Sequence, residues 1–251
     1  MNDIYATPEA DLRDNNQSDR AGGNIEDALA GNIEISMLGT MAEAWRQTKG
    51  FKWTCHLAFL FYFVVSVVTM LIGVAVVFGF LAMGADQNAA DLIGSVVQMA
   101  ASIAVMPIFF GIHILGMRHA EKKSTSATSV FSHFSKLPTL FLAYLIFMAM
   151  VGLGFLLLAI PGIYLMIAYM FSMVLVVEKG MPAWRALETS RKVITRKWFP
   201  MFGIFMLIGI INMLGVLTLT IAWIWTIPWS VLTMSMIYTK LFGAEAQTLA
   251  D

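Results

Sequence analysis

The fold turns on one run, Thr139 to Glu178: Thr-Leu-Phe-Leu-Ala-Tyr-Leu-Ile-Phe-Met-Ala-Met-Val-Gly-Leu-Gly-Phe-Leu-Leu-Leu-Ala-Ile-Pro-Gly-Ile-Tyr-Leu-Met-Ile-Ala-Tyr-Met-Phe-Ser-Met-Val-Leu-Val-Val-Glu. Before Glu178 it holds no Asp, Glu, Lys, Arg or His. The run is about twice the roughly 20 apolar residues that one helix needs to cross a bilayer. Near its middle stands Pro161-Gly162, a residue without a backbone donor followed by one that tolerates a tight turn. The expectation is a helical hairpin with spans at 138–159 and 162–178.

Composition agrees with a membrane chain. Of 251 residues, 59% are hydrophobic and 13% charged, whereas soluble domains carry about a quarter charged residues. A single cysteine, Cys55, excludes an internal disulfide. No basic stretch followed by an apolar one stands at the N-terminus, so no cleaved signal peptide is expected.

Residues 1–36 carry eight acids against Arg13 and Arg20. With so little apolar surface to offset ordering entropy, this segment reads as a disordered acidic tail. Residues 37–52 read as a short amphipathic helix at headgroup level, with Met37, Met41, Ala44 and Trp45 on one face. Spans follow at 53–83 and 93–117, the second kinked at Pro107. A basic Ser/Thr-rich connection, 118–136, leads into the central hairpin. A second amphipathic stretch, 183–197, leads to spans at 199–217 and 221–240. The membrane domain thus covers 37–243, and 244–251 form a polar C-terminal tail. The fold class expected is an all-α polytopic bundle of six transmembrane helices, arranged as three hairpins with cytoplasmic amphipathic helices.

The distribution of positive charge sets the topology. Arg13, Arg20, Arg46, Lys49 and Lys52 precede the first span; Arg118, Lys122, Lys123 and Lys136 lie between the second and third. Lys179, Arg185, Arg191, Lys192, Arg196 and Lys197 lie between the fourth and fifth, and Lys240 closes the last. These are all sixteen basic residues; the three opposite loops hold none. The positive-inside rule places both termini in the cytoplasm.

Each hairpin follows a basic interfacial segment, and Ala44-Trp45-Arg46 with Lys52-Trp53 parallels Ala183-Trp184-Arg185 with Lys197-Trp198. A threefold repeat accounts for this, as does the plain preference of Trp and Lys for interfaces.

The stretches Ile160-Pro161-Gly162-Ile163-Tyr164, Val176-Val177-Glu178-Lys179-Gly180, Ala186-Leu187-Glu188-Thr189-Ser190 and Lys197-Trp198-Phe199 resemble a widespread group of bacterial six-span inner-membrane proteins. They are also similar to the membrane domain attached to some glycerophosphodiester phosphodiesterases. The opening Ile4-Tyr5-Ala6-Thr7-Pro8-Glu9-Ala10 resembles an Asn-Pro-Tyr-x-x-Pro-x-Ala tail of such proteins, with Asp3-Ile4 in place of Asn-Pro. The resemblance covers roughly 37–243. It implies the six-span fold and an inner-membrane location and brings no reaction with it; the phosphodiesterase catalytic domain has no counterpart here.

Chemistry-bearing residues are few. His56 and His113 lie near the cytoplasmic ends of the first two spans, as a possible pH-sensitive or metal-binding pair or as two hydrogen-bonded rings at headgroup depth. Cys55 adjoins His56, but helical neighbours point about 100° apart. Met148/Met150 and Met234/Met236 lack the spacing of one helix face. No cofactor or metal is expected, and with no positioned acid–base pair, no catalysis. Glu178 is expected to dock the basic segment by pairing with Arg185, Arg191 or Lys192. Those residues with Arg196 and Lys197 are candidate contacts for lipid headgroups or a partner. Gln98, Ser102 and Asn212 lie within spans, where interhelical hydrogen bonds are expected. Ala75/Gly79 and Ala100/Ala104 are small-residue pairs that permit close helix approach.

Two functional classes follow. The first is an accessory or scaffold membrane protein that binds anionic lipids, a membrane-protein partner or a second copy of itself, with no nucleic-acid partner. The second is a transporter or channel for a lipid or apolar solute, which requires a continuous cavity.

Overall fold

A computed structural model describes residues 22–250. Among these the chain is helical, without strands. The expected disorder of residues 1–21 lies outside the described residues. Residues 22–36 are ordered. A short helix α1, Ile25–Ala30, starts at Asn24, whose side chain accepts from Asp27 N at 2.7 Å, and stops at left-handed Gly31. Gly23 N donates to the carbonyl of Thr239 at 3.0 Å. Ile25, Leu29, Ile33 and Ile35 pack on the core. Their spacing gives one apolar stripe that the acidic average of the segment conceals.

The amphipathic helix and first span expected separately are one helix, α2, Met37–Ala82 (46 residues), capped by Ser36. At 1.5 Å per residue it is about 69 Å long. Gly50 does not break it; a helical glycine costs only about 1 kcal/mol, and the His119 ring packs where Gly50 has no side chain. Next come α3, Gln87–Ala104, and α4, Met106–Ala120. The break falls at Val105, so that Pro107 occupies the first turn of α4, where its missing donor leaves nothing unsatisfied. α3 packs tightly on α2 at Gly94, where an added Cβ would lie 2.4 Å from Val77. Gly79 has nothing within 4 Å of such a Cβ, so the approach is not at the Ala75/Gly79 pair.

A 3-10 segment, Ala127–Lys136, leads into α5, Leu137–Leu157. The chain reverses at Leu158, whose backbone is extended, and Pro161 lies in the first turn of α6, Ala159–Ala168. The turn therefore precedes Pro161-Gly162 rather than containing it. Gly162 serves contact instead: a Cβ there would lie 2.4 Å from the Phe155 ring, and one on Gly154 would lie 3.0 Å from the Gly162 backbone. A second break at Tyr169–Phe171 separates α6 from α7, Ser172–Lys179, which ends at left-handed Gly180. Then come α8, Ala183–Arg196; α9, Trp198–Leu217; α10, Trp223–Phe242; and the single turn α11, Ala246–Leu249.

Among the described residues, five helical stretches are long and apolar enough to cross a membrane: Met37–Ala82, Gln87–Ala120, Ala127–Leu157, Ala159–Lys179 and Trp198–Leu217. The chain is a multi-pass membrane protein. The expected last span corresponds to α10, which is not among the five. Thr226, Ser230, Thr233, Ser235, Thr239 and Lys240 reduce its hydropathy.

Burial is uneven along these helices. On α2 it runs from Thr40 to Ala58 and then recurs only at Gly73; on α4 it runs from Pro107 to Met117; on α10 it runs from Pro228 to Phe242. The packed core thus lies toward the ends that carry the basic segments. Leu60, Phe63, Leu71, Ile72 and Phe78 on α2, and Ile210, Met213 and Leu217 on α9, are exposed, as lipid-facing residues are.

The glycine contact at the α5–α6 reversal is testable. Gly154→Ala forces backbone against backbone and is expected to destabilise by about 1–3 kcal/mol. Gly152→Ala, where nothing lies within 4 Å, is expected to be neutral or slightly stabilising. Thermal unfolding of the detergent-solubilised chain compares the two.

Candidate functional site

Glu178 does not pair with Arg185, Arg191 or Lys192. The end of α7 turns its carboxylate toward the C-terminal tail. Oε1 accepts from Glu245 N at 2.6 Å and from Thr248 Oγ1 at 3.2 Å; Oε2 accepts from Tyr238 Oη at 2.9 Å. Lys179 Nζ lies 3.2 Å from Oε2 and 2.9 Å from Glu245 Oε1. The side chains of Glu178 and Lys179 are 0% and 4% exposed. A buried carboxylate is tolerable only when its lone pairs are filled, and here four donors fill them. From the end of α4, Arg118 donates to the carbonyls of Ser124 at 2.9 Å, Thr248 at 3.0 Å and Ala250 at 2.5 Å. The polar tail is therefore fastened to the ends of α4, α7 and α10. Tyr238, Glu245, Thr248 and Arg118 were not among the sequence candidates, because their partners are up to 132 residues away.

The basic residues of α8 divide into two sets. Arg191 grips Glu188 with two bonds, Nε to Oε2 at 2.9 Å and Nη2 to Oε1 at 2.8 Å, and Lys192 Nζ lies 3.4 Å from the same carboxylate. The Arg191 hydrogen bond holds the Glu188 carboxyl below its ordinary range, and Glu188 in turn keeps Arg191 protonated. Arg185, Arg196 and Lys197 form no ion pair with any described residue. Arg185 and Arg196 are exposed, and Arg196 lies against Gly31 at the end of α1. The opposite face of α8 buries Ala186, Leu187, Ser190, Val193 and Ile194; Ser190 Oγ donates to the Ala168 carbonyl at 2.8 Å, at the break between α6 and α7. The stretch is amphipathic as expected and buries Leu187 and Ile194, but Trp184, which the same spacing assigns to the apolar face, is 59% exposed.

The two histidines have different surroundings. His56 Nδ1 donates to the Lys52 carbonyl at 2.6 Å, and its ring faces Trp53. His113 stacks edgewise on Phe109 and lines a cleft of about 260 Å³ with Asn212 and Ser230. Their contacts have no residue in common. No group of three or more His, Cys, Asp or Glu stands together among the described residues.

Of the polar residues within spans, Asn212 bridges helices. Its amide nitrogen donates to Ser230 Oγ at 2.9 Å, its side-chain oxygen accepts from Thr226 Oγ1 at 2.9 Å, and its backbone carbonyl accepts from Trp223 Nε1 at 2.8 Å. Ser102 bonds within its own helix, to the Gln98 carbonyl. Gln98 lines a cleft of about 680 Å³ between α2 and α3, with Gly73, Val77, Asp91 and Gly94. A third cleft, about 470 Å³, lies where α6, α8 and α9 meet and is walled by Ile160, Tyr164, Trp198, Phe199 and Phe202.

Comparison with family models, with curated proteins and with solved structures finds no match.

The clasp on Glu178 generates a clear expectation. Glu178→Ala leaves Lys179 with Glu245 alone and strips Tyr238, Thr248 and Glu245 N of their acceptor, and is expected to cost about 1–3 kcal/mol. The tail is then released. Limited proteolysis is expected to cut between Gly243 and Ala250 in the variant and to spare that segment in the parent chain.

Proposed function

We propose that this chain is an accessory or scaffold protein of the bacterial inner membrane. It crosses six times as three hairpins, keeps both termini in the cytoplasm, and presents a basic face to anionic lipids or a membrane-protein partner. One observation carries the reading: all sixteen basic residues fall on one side of the apolar alternation, and on α8 Arg185, Arg196 and Lys197 have no acidic partner among the described residues. The loops 118–136 and 178–197 carry net charges of +3 and +4. Near an anionic surface each basic residue contributes about 1 kcal/mol of attraction. The resemblance to the six-span bacterial group supports the location and the number of spans. As a sixth span, α10 would carry its polar residues against α2, α4 and α9 rather than toward lipid. Trp229 Nε1 donates to the Met41 carbonyl, Ser235 Oγ to the His113 carbonyl, and Lys240 pairs with Glu43 at 2.8 Å. The chain does no catalysis in this reading.

A transporter asks for one route through the bundle. The cleft lined by Gln98 and the cleft lined by Asn212 share no lining residue, which weighs toward the accessory role.

Native mass spectrometry of the chain extracted gently from its own membrane tests the proposal. A stoichiometric partner protein or retained anionic lipid is the expected outcome. A bare monomer, together with solute flux into liposomes that hold the chain alone, would replace the accessory role with transport.

A further inference from the structure

The cleft between α6, α8 and α9 combines three properties. Its walls are aromatic and rigid: Trp198 and Phe202 stack at 5.0 Å with planes 8° apart, and Trp198 Nε1 donates to the Tyr164 carbonyl at 3.2 Å. Its mouth is open and apolar, with Ile160 78% and Phe199 81% exposed. Its polar lining is Tyr164 and Thr195, and Arg191 and Lys197 lie close to Thr195 and Trp198 in the chain. Thr195 Oγ1 donates its one proton to the Arg191 carbonyl at 2.6 Å, so the Tyr164 hydroxyl, 2.6 Å away, is the donor of that pair. The Tyr164 oxygen is left as an acceptor, and Thr195 links it to the backbone of Arg191, one turn earlier on α8. Lys197, at the corner between α8 and α9, has no acidic partner among the described residues.

An apolar slot of about 470 Å³ lies within the range of ligand sites. Its exposed apolar mouth at Ile160 and Phe199, with Arg191 and Lys197 near it in the chain, suits an amphiphile with an acyl chain and a negative head. Trp at a membrane interface favours the same junction, where an apolar chain meets a polar group.

We propose that this cleft binds one anionic phospholipid, with its acyl chain against Trp198 and Phe202 and its phosphate at Arg191 and Lys197. The inference rests on the reading of the basic face as the lipid-facing one and names the place on it where a single lipid is held. Arg191 is suited to the role because Glu188 fixes its guanidinium from one side through two hydrogen bonds, leaving the other nitrogen for a phosphate oxygen. Lys197 adds a mobile point charge.

The test uses the full chain in detergent with equal amounts of phosphatidylglycerol and phosphatidylcholine of the same chain length, read by native mass spectrometry. The parent chain is expected to retain one phosphatidylglycerol in preference to phosphatidylcholine. Arg191→Gln combined with Lys197→Gln is expected to reduce that preference on the order of tenfold while phosphatidylcholine retention stays unchanged. Ile160→Trp, which fills the mouth from an exposed position, is expected to lower retention of both lipids. Phe202→Leu thins the wall without added bulk and should show the same loss, which separates filling of the cleft from misfolding. Lys122→Gln with Lys123→Gln removes equal charge elsewhere and should change nothing. A phosphatidylglycerol preference that survives both Ile160→Trp and the Arg191/Lys197 pair, but falls with Lys122 and Lys123, overturns the site and leaves the general reading standing. A parent chain with no preference for the anionic lipid overturns both.

Discussion

Charge has no place in the hydrocarbon of a bilayer, and this constraint orders the whole chain. An isolated ion at the bilayer centre costs at least several kcal/mol, so basic residues must gather where the chain leaves the membrane. They gather in residues 13–52, 118–136 and 179–197 and at Lys240, and the apolar runs between these segments hold none. The packed core follows the same division. The halves of α2, α4 and α10 nearest the basic segments bury their side chains, and the far halves of α2 and α9 expose Leu, Phe, Ile and Met. Burial is therefore densest near the basic segments and sparse along the far parts of α2 and α9.

Among the described residues, buried side-chain polar groups are resolved by pairing, except the Thr233 hydroxyl of α10. Glu178 and Lys179 satisfy each other together with Tyr238, Glu245 and Thr248. Asn212 links α9 to α10 through Thr226 and Ser230. Trp229 secures α10 to α2 through the Met41 carbonyl, with Trp45 set edgewise against it at 6.4 Å. Such bonds are individually modest in a membrane. Their value is positional, because apolar helices surrounded by lipid slide easily and a polar pair fixes one register.

Much of this was legible in the sequence. Long charge-free runs locate apolar helices with little competition, since few other structures produce them. The amphipathic character of α8 follows from its periodicity. Boundaries were less legible where proline was read as a breaker. Pro107 and Pro161 each sit in the first turn of a new helix, and the breaks fall at Val105 and Leu158 just before them. Ordering of residues 22–36 was hidden because composition averages away the stripe of Ile25, Leu29, Ile33 and Ile35. The partner of Glu178 could not be read at all. Proximity in sequence favoured Arg185 and Arg191, while the fold brings Tyr238 and Glu245 to it from some sixty residues away, and only tertiary packing specifies that choice. The aromatic cleft was invisible for the same reason: its walls come from α6 and α9, and Thr195 of α8 completes it.

The one-sided arrangement of charge is the central claim, and labelling of single cysteines tests it most directly. In a Cys55→Ser background, cysteines replace Asn88, Leu158 and Ile221 at the three connections that carry no basic residue, and Lys122 and Gln247 on the basic side. A membrane-impermeant maleimide, applied to cells with a permeabilised outer membrane, is predicted to label positions 88, 158 and 221, and to reach 122 and 247 only after lysis. Labelling of 122 or 247 in intact cells, or failure to label 221 from outside, would contradict the topology and with it the sixth crossing by α10.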